Sequence, residues 1–151
     1  MEDKLTEKSI AKMRAELVAP PLIYLASPYM HDSEVIREKR YLEAAEDTAA
    51  LIRMGGHMFS PIVHCHPMAL KYDLPKDSDY WIGYNEAMLK VCDELYVLCT
   101  NGIDISTGVH REIIIADAKG MPVSFIERLN SKGDIPFISQ RKARVTWGVK
   151  I

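Results

Sequence analysis

The hydrophobic positions of this chain alternate between short apolar runs and longer stretches whose apolar residues can share one helix face. Four runs have the length and composition of buried strands: 22–26, 57–59, 95–99 and 122–126. Three stretches with helical spacing separate them: 34–54, 79–91 and 107–119. This alternation predicts an α/β fold, doubly wound, with a mainly parallel sheet of about five strands flanked by helices.

Glycine and proline mark the breaks between these elements. Gly55 and Gly56 follow the first long helix, and Gly120 follows the last one, at positions where glycine commonly ends a helix. The segment 60–75 is rich in proline and histidine, and we predict a loop there.

Both ends of the chain carry weaker patterns. Residues 4–17 predict a weak amphipathic helix inside an N-terminal extension, 1–20, and a last strand is expected around 143–147. We see no internal repeat, so the expected organisation is a single domain, 1–151.

Charge and cysteine content narrow the class of protein. The formal net charge is −2 with acids and bases interspersed, so no basic stripe indicates a polymeric nucleic acid as partner. Cys65, Cys92 and Cys99 are odd in number and lack paired spacing, which argues against a disulfide framework or a zinc site. The sequence shows neither an apolar run of membrane-spanning length nor an apolar signal core near its start. We therefore expect a cytoplasmic protein without a membrane partner.

The expected ligand site lies beyond the carboxyl ends of the parallel strands, as is general in such sheets. This rule selects three loops with small or polar residues, 27–32, 60–66 and 100–108. The dinucleotide fingerprint G-x-G-x-x-G and the triphosphate fingerprint G-x-x-x-x-G-K-[ST] are both absent from the sequence.

The segment from Ser106 to Glu112 joins a predicted strand to a predicted helix. Its glycine, Gly108, allows the backbone to approach a ligand, and the N-terminus of a helix favours an anion. Two interpretations of Glu112 are open: a carboxylate aimed at a small ligand, or a first-turn acid that complements the helix dipole.

Four motifs together resemble the nucleoside 2-deoxyribosyltransferase superfamily. They are Tyr-Leu-Ala-Ser-Pro-Tyr at 24–29, Asn85 eight residues before Asp93, Ser-x-Gly-x-x-x-Glu at 106–112, and Gly-Met-Pro-Val at 120–123. The superfamily includes transferases that exchange nucleobases and hydrolases that cleave the N-glycosidic bond of nucleoside monophosphates. The resemblance covers roughly 22–126. It implies a Rossmann-like fold, a homodimer or larger homo-oligomer whose active site a neighbouring subunit often completes, and no metal or cofactor.

The resemblance also implies residue roles. Glu112 matches the nucleophile, because a carboxylate below the sugar stabilises an oxocarbenium-like state or forms a covalent glycosyl intermediate. Gly108 matches the glycine that lies against the sugar. Ser27 and Pro28 follow the first strand, where the family contacts substrate; Ser27 either meets a 5′-phosphate or sugar hydroxyl, or is a simple turn serine.

Ser106 bears on the choice of substrate. The nucleotide hydrolases carry a phosphate-binding serine six residues before the glutamate, whereas transferases on free nucleosides carry an acid there. A serine hydroxyl can donate to a phosphate, although Ser106 can also be a helix N-cap. One hydroxyl hardly holds a dianion, so backbone amides and Tyr29 or a neighbouring subunit are expected to help.

The base pocket is less well defined by the sequence. The resemblance places Ile62 and His64 on the loop that borders the base, and Trp81 either stacks on the base or packs in the core. His64 and His66 flank Cys65 but lack a clear third ligand, so we do not expect a metal.

Asn85 departs from the family pattern. The family has an aspartate there, which helps to protonate the leaving base or orients the nucleophile, and an amide cannot transfer a proton at neutral pH. Either another acid, Asp79 or Glu86, serves instead, or the chain binds without turnover, or the asparagine is an introduced change.

These expectations combine into one hypothesis with two alternatives. The first is an N-glycosidase that hydrolyses a (deoxy)nucleoside 5′-monophosphate. The second is a deoxyribosyltransferase on free nucleosides, and the third is a nucleotide-binding protein with little catalysis.

Overall fold

The computed structural model of the chain describes residues 6–10, 21–128 and 137–140, the last four as backbone only. Within the predicted N-terminal extension, residues 7–10 are helical. The remainder of that extension and the strand expected around 143–147 lie outside the described residues. None of the described helices is long and apolar enough to cross a membrane.

From residue 21 onward, the described chain contains five strands and four α-helices. The strands are β1 (Leu22–Ala26), β2 (His57–Phe59), β3 (Glu94–Leu98), β4 (Val123–Ile126) and β5 (Phe137–Gln140). The helices are α1 (Glu34–Arg53), α2 (Pro61–Lys71), α3 (Ser78–Val91) and α4 (Thr107–Ala118), with a short 3-10 turn at Ile103–Ile105. The predicted bounds of β1 to β4, α1, α3 and α4 agree with the structure to within one residue.

The strands form one sheet in the order β2-β1-β3-β4-β5. β1 to β4 are parallel to their neighbours, and β5 is antiparallel to β4. This confirms the predicted Rossmann-like, mainly parallel sheet. The chain leaves β1 toward β2 and later returns to β3 on the opposite side of β1, so the loops after β1 and β3 diverge. Such a switch point opens a crevice at the carboxyl ends of the strands.

Alternate residues of the strands supply two separate cores. Tyr24 faces the larger core, where Leu89 of α3 and Ile113 of α4 cover the sheet. The next residue of β1, Leu25, faces the opposite side and packs near Leu51 of α1. Side chains along a strand point alternately to the two faces, so both faces of this sheet are covered by helices, as predicted.

The prediction of a loop over 60–75 is wrong, because α2 occupies Pro61–Lys71. The Ser60 hydroxyl accepts a hydrogen bond from the Val63 amide at 3.3 Å, and Pro61 stands at the first helical position, where a missing N–H costs nothing. Ile62, Cys65 and Ala69 recur at helical spacing and are buried. The prediction failed because proline and histidine are common in loops. In the structure, the N-cap and the burial of one face stabilise this segment as a helix.

Candidate active site

A cleft opens at the switch point of the sheet, between the loop after β1 and the loop that joins β3 to α4. Its other walls come from α2 and from the start of α3. Eight of the ten residues predicted from the sequence line it: Ser27, Tyr29, Ile62, Trp81, Asn85, Ser106, Gly108 and Glu112. The topological rule for parallel sheets therefore locates the same cavity as the motifs do.

The structure does not place Pro28 and His64 on the cleft. Pro28 is a buried residue of the loop after β1 and does not line the cleft. His64 is exposed, and its Nε2 lies 2.7 Å from the hydroxyl of Tyr84, whose ring stacks on the imidazole. Since α2 is a helix, residues two apart point in different directions, and His64 turns away from the side on which His66 meets the cleft.

Glu112 lies in the second turn of α4 and is partly exposed, with its carboxyl group on the cleft. The hydroxyl of Tyr24, a fully buried residue of β1, donates a hydrogen bond of 3.1 Å to its Oε1. The first-turn interpretation of this acid is wrong, because Glu112 lies six positions after the N-cap, Ser106, and the first turn of α4 contains no acid. Contact with a strand on the core side holds the carboxyl group at the cleft.

Burial raises the pKa of Glu112 to about 8, and the hydrogen bond from Tyr24 acts in the opposite direction. Burial raises the pKa of Tyr24 as well, and its contact with Glu112 adds to the rise, so the phenol keeps its proton and stays a donor. A pKa of about 8 favours the protonated form of this carboxyl group at neutral pH. A strongly perturbed carboxyl group in a cleft is a common mark of a functional acid.

Ser106 forms the N-cap of α4, accepting a hydrogen bond from the Val109 amide at 3.3 Å. The capping interpretation is therefore confirmed. Capping uses a lone pair of the oxygen, so the hydroxyl hydrogen remains able to donate into the cleft. The first amides of a helix also lack intrahelical acceptors, which makes this end of α4 suited to an anion.

Gly108 leaves the cleft open. A Cβ added there would come no closer than 3.9 Å to another side chain, that of Ser78, and the backbone is not in the left-handed region. Neither packing nor conformation among the described residues requires a glycine at this position. What its missing side chain provides is space next to Glu112 for a ligand.

Two cations, Arg40 and Lys76, line the cleft and were not predicted from the sequence. Arg40 donates to the Met30 carbonyl at 2.7 Å, and its guanidinium lies against Gly102, where any Cβ would collide with it. Gly102 also has a φ of 94°, which favours glycine. This glycine thus places the charge of Arg40 beside the turn that leads to Ser106.

Two buried polar atoms on the cleft have no hydrogen-bond partner among the described residues, Oγ of Ser27 and Oδ1 of Asn85. A turn serine bonds to nearby backbone, which Ser27 does not, so the turn interpretation lacks support. Leaving a buried polar atom unpaired costs about 1–3 kcal/mol. Both atoms are therefore available to hydrogen-bond with a ligand or with water in the cleft.

Trp81 forms one wall of the cleft and is not part of either core. Its Nε1 donates to the Pro75 carbonyl at 2.7 Å, and Tyr80 and Tyr84 contact its ring edge-on. These contacts hold an indole ring that lines the cleft, and an indole can stack on a flat ligand.

The alternative acids considered from the sequence do not reach the cleft. Asp79 pairs with Arg111 at 2.7 Å, and Glu86 pairs with Lys90 at 2.9 Å, both on the helix surface. Besides Glu112, the described carboxyl group on the cleft is that of Asp77, which caps α3.

The described residues bring no group of three or more histidine, cysteine, aspartate or glutamate side chains together in a way that could hold a metal ion. His64 and His66 lie on different sides of α2, and the three cysteines are free thiols. The groups that the described residues present along the cleft are two carboxyl groups, hydroxyl groups, an amide, an imidazole, a thiol and two cations.

Comparison with protein families gives one finding that bears on this cleft. The family described as "Domain of unknown function (DUF1937)" matches residues 21–128, a range that contains the four parallel strands and every residue that lines the cleft. The comparison with curated proteins gives no match. Since the family match covers more than half of the chain, the chain belongs to the DUF1937 family.

Proposed function

We propose that this protein is an N-glycosidase that hydrolyses the base–sugar bond of a (deoxy)nucleoside 5′-monophosphate, with Glu112 as the nucleophile. The observation that carries the proposal is the carboxyl group of Glu112, which faces the cleft and accepts a hydrogen bond from the buried Tyr24. The resemblance of the motifs to nucleoside 2-deoxyribosyltransferases supports the same assignment.

The proposed reaction has two steps. In the first, the C1′–N bond breaks, its electron pair stays on the base nitrogen, and an oxygen of Glu112 bonds to C1′ or stabilises the oxocarbenium-like state. In the second, a water oxygen bonds to C1′ and releases the carboxylate. Tyr24 fixes the direction of the carboxyl group in both steps, because its own burial leaves the hydroxyl no alternative partner from solvent.

The cations support a phosphorylated substrate over a free nucleoside. Arg40 lies near Gly102, and the turn that follows ends at Ser106 and the free amides of α4. Guanidinium, hydroxyl and amide groups all donate hydrogen bonds to a phosphate dianion, so Ser106 need not bind the phosphate by itself. Lys76 adds a second positive charge on the cleft wall.

The base is proposed to lie between Trp81 and Ile62. The indole offers a flat apolar face, and Ile62 lines the cleft from α2. Oδ1 of Asn85, buried and unpaired, then accepts a hydrogen bond from an N–H group of the base. This role needs no proton transfer, and an amide can perform it.

Asn85 also favours one alternative function, a nucleotide-binding protein with little catalysis. A panel of nucleoside monophosphates and free nucleosides, incubated with the purified protein and analysed by chromatography, separates the possibilities. The proposal expects free base from at least one monophosphate without any acceptor base. Base exchange that requires an acceptor would indicate a transferase, and binding without base release would indicate the non-catalytic alternative.

A further inference from the structure

A series of hydrogen bonds from Glu38 through His66 to Tyr29 reaches the cleft on the side of α2. Oε2 of Glu38 lies 2.7 Å from Nε2 of His66, and Nδ1 of the same ring lies 2.6 Å from the hydroxyl of Tyr29. His66 is only 3% exposed, and the ring of Tyr41 stacks on it at 4.6 Å. Tyr29 and His66 both line the cleft, whereas the Glu38 side chain is about half exposed.

The hydrogen bonds from Glu38 through His66 to Tyr29 can be arranged in two ways, which differ in the protonation of His66. An ionised Glu38 only accepts, so Nε2 of His66 must carry a hydrogen. If His66 is neutral, its Nδ1 accepts the O–H of Tyr29, and the phenol presents only its oxygen to the cleft. If His66 is an imidazolium, Nδ1 donates to the phenol oxygen, and the O–H of Tyr29 turns toward the cleft. Gain of one proton by His66 therefore converts Tyr29 from an acceptor into a donor for a bound ligand.

We propose that Tyr29 gives the departing base its proton, and that His66 and Glu38 are positioning residues that direct this proton into the cleft. The inference rests on the proposed function and supplies what Asn85 cannot. Asp79 and Glu86 do not line the cleft. Asp77 does, but its Oδ2 accepts a hydrogen bond from the Tyr80 amide at 3.1 Å as the cap of α3, so it is the competing donor to test.

The proton balance closes over one turnover. As the C1′–N bond breaks, the electron pair stays on the base nitrogen and takes the hydroxyl proton of Tyr29. The Nδ1 proton of His66 moves to the phenol oxygen and leaves a neutral ring, whose Nε2–H stays on Glu38. In the second step the attacking water loses one proton, which returns through the cleft to the Tyr29–His66 pair. One water molecule is consumed, and Glu38, His66 and Tyr29 return to their starting protonation states.

The surroundings keep the phenol protonated at rest. Burial raises the pKa of Tyr29; Glu38 and Cys65 act in the same direction, and Arg37 acts against them. Arg37 faces the pair from α1 and also binds the carbonyls of His31 and Asp32. With its proton retained, Tyr29 is suited to donate rather than to act as a nucleophile.

A comparison of two leaving groups tests the proposal. One substrate is the monophosphate that the wild-type protein cleaves fastest, and the other is the 4-nitrophenyl glycoside 5′-phosphate of the same sugar, whose leaving group departs as an anion. Tyr29→Phe should slow base release by about 10²–10⁴-fold, the usual contribution of general acid catalysis, and nitrophenolate release only a few-fold. His66→Gln should show the same selectivity, since glutamine keeps hydrogen bonds but cannot pass a proton.

The matched control is Tyr84→Phe, which keeps the ring that contacts Trp81, removes only a hydroxyl group bonded to His64 away from the cleft, and should change neither rate. If His66→Gln fails to fold by circular dichroism, Glu38→Gln replaces it and should also slow base release selectively. Equal losses on both substrates in Tyr29→Phe would overturn the proposal, as would the selective pattern in Asp77→Asn alone. A wild-type protein that releases neither base nor nitrophenolate would overturn the proposed function and this inference with it.

Discussion

The hydroxyl of Tyr24 donates a hydrogen bond of 3.1 Å to Oε1 of Glu112, joining β1 to α4. The donor is fully buried and the acceptor faces the cleft. The pair thus fixes a carboxyl group whose pKa of about 8 results from burial and would be higher without the phenol. This relationship determines at which pH the proposed nucleophile is ionised.

The first prediction concerns the pH dependence of kcat/KM, which reports on groups of the free enzyme. Glu112 must lose its proton to act, so kcat/KM for a monophosphate should fall on the acid side of about pH 8. Tyr24→Phe removes a hydrogen bond that favours the ionised form and should move this limb to higher pH. An acid limb that does not move in Tyr24→Phe would contradict the assignment.

The second prediction concerns stability. The folded protein binds the Glu112 proton more tightly than the unfolded chain, since the pKa rises from 4.5 to about 8 on folding. The contribution of this group is fully present below about pH 4.5 and is lost as the pH rises through about 8. Glutamine does not titrate, so the variant avoids this loss. The free energy of unfolding of Glu112→Gln minus that of the wild-type protein should therefore be larger at pH 9 than at pH 5, by on the order of 1–3 kcal/mol after allowance for water in the cleft. Urea unfolding at both pH values measures it; a pH-independent difference between variant and wild type would count against it.

Ser106 is predicted to have two separable roles. Ser106→Ala should raise KM for monophosphates by the equivalent of about 1.5–3 kcal/mol, the worth of a charge-assisted hydrogen bond, and lower stability by about 0.5–2 kcal/mol as a lost N-cap. Ser60→Ala is the matched control, because Ser60 caps α2 over the same 3.3 Å but does not line the cleft. Ser60→Ala should lower stability and leave KM unchanged. Equal effects of the two variants on KM would reduce Ser106 to a cap.

Arg40 is predicted to bind the phosphate. Arg40→Met should raise KM for monophosphates about 10- to 100-fold, the equivalent of about 1.5–3 kcal/mol, and hardly affect free nucleosides. Arg37→Met is its control for KM alone and should leave KM unchanged, since Arg37 binds carbonyls of the same loop but does not line the cleft; its influence on Tyr29 would change kcat. Steady-state kinetics on a monophosphate and its nucleoside decide the matter, and a matching loss on both substrates would show that Arg40 only orders the loop.

Most of the fold follows from local patterns in the sequence. β1 to β4 were predictable because each is a short apolar run between glycine, proline or polar residues, and α4 because its apolar residues follow a strand and a serine cap. β5 was not predicted, since the last strand was expected at 143–147 and not at Phe137–Gln140. The second helix was missed because its proline and histidine content is typical of loops. Its helical state depends on burial of Ile62 and Cys65 against the rest of the molecule, which local composition does not reveal.

The cleft was predictable in outline but not in its contacts. Topology places the loops after β1 and β3 at one edge, and the motif around Glu112 marks its chemistry. Contacts between distant residues carry no local signal: Tyr24 reaches Glu112 across 88 positions, and His66 reaches Glu38 across 28. Arg40 was missed for the same reason, since it lies on α1 and its contact with the turn at Gly102 joins positions that are distant in the sequence.

The most direct test of the central claim is base release by Glu112→Gln. The amide keeps the size of the side chain and the contact with Tyr24 but cannot attack C1′. With a monophosphate that the wild-type protein cleaves, chromatography of free base should show turnover lower by several orders of magnitude, while circular dichroism shows an intact fold. Base release by folded Glu112→Gln at a rate comparable to the wild-type protein would contradict the account.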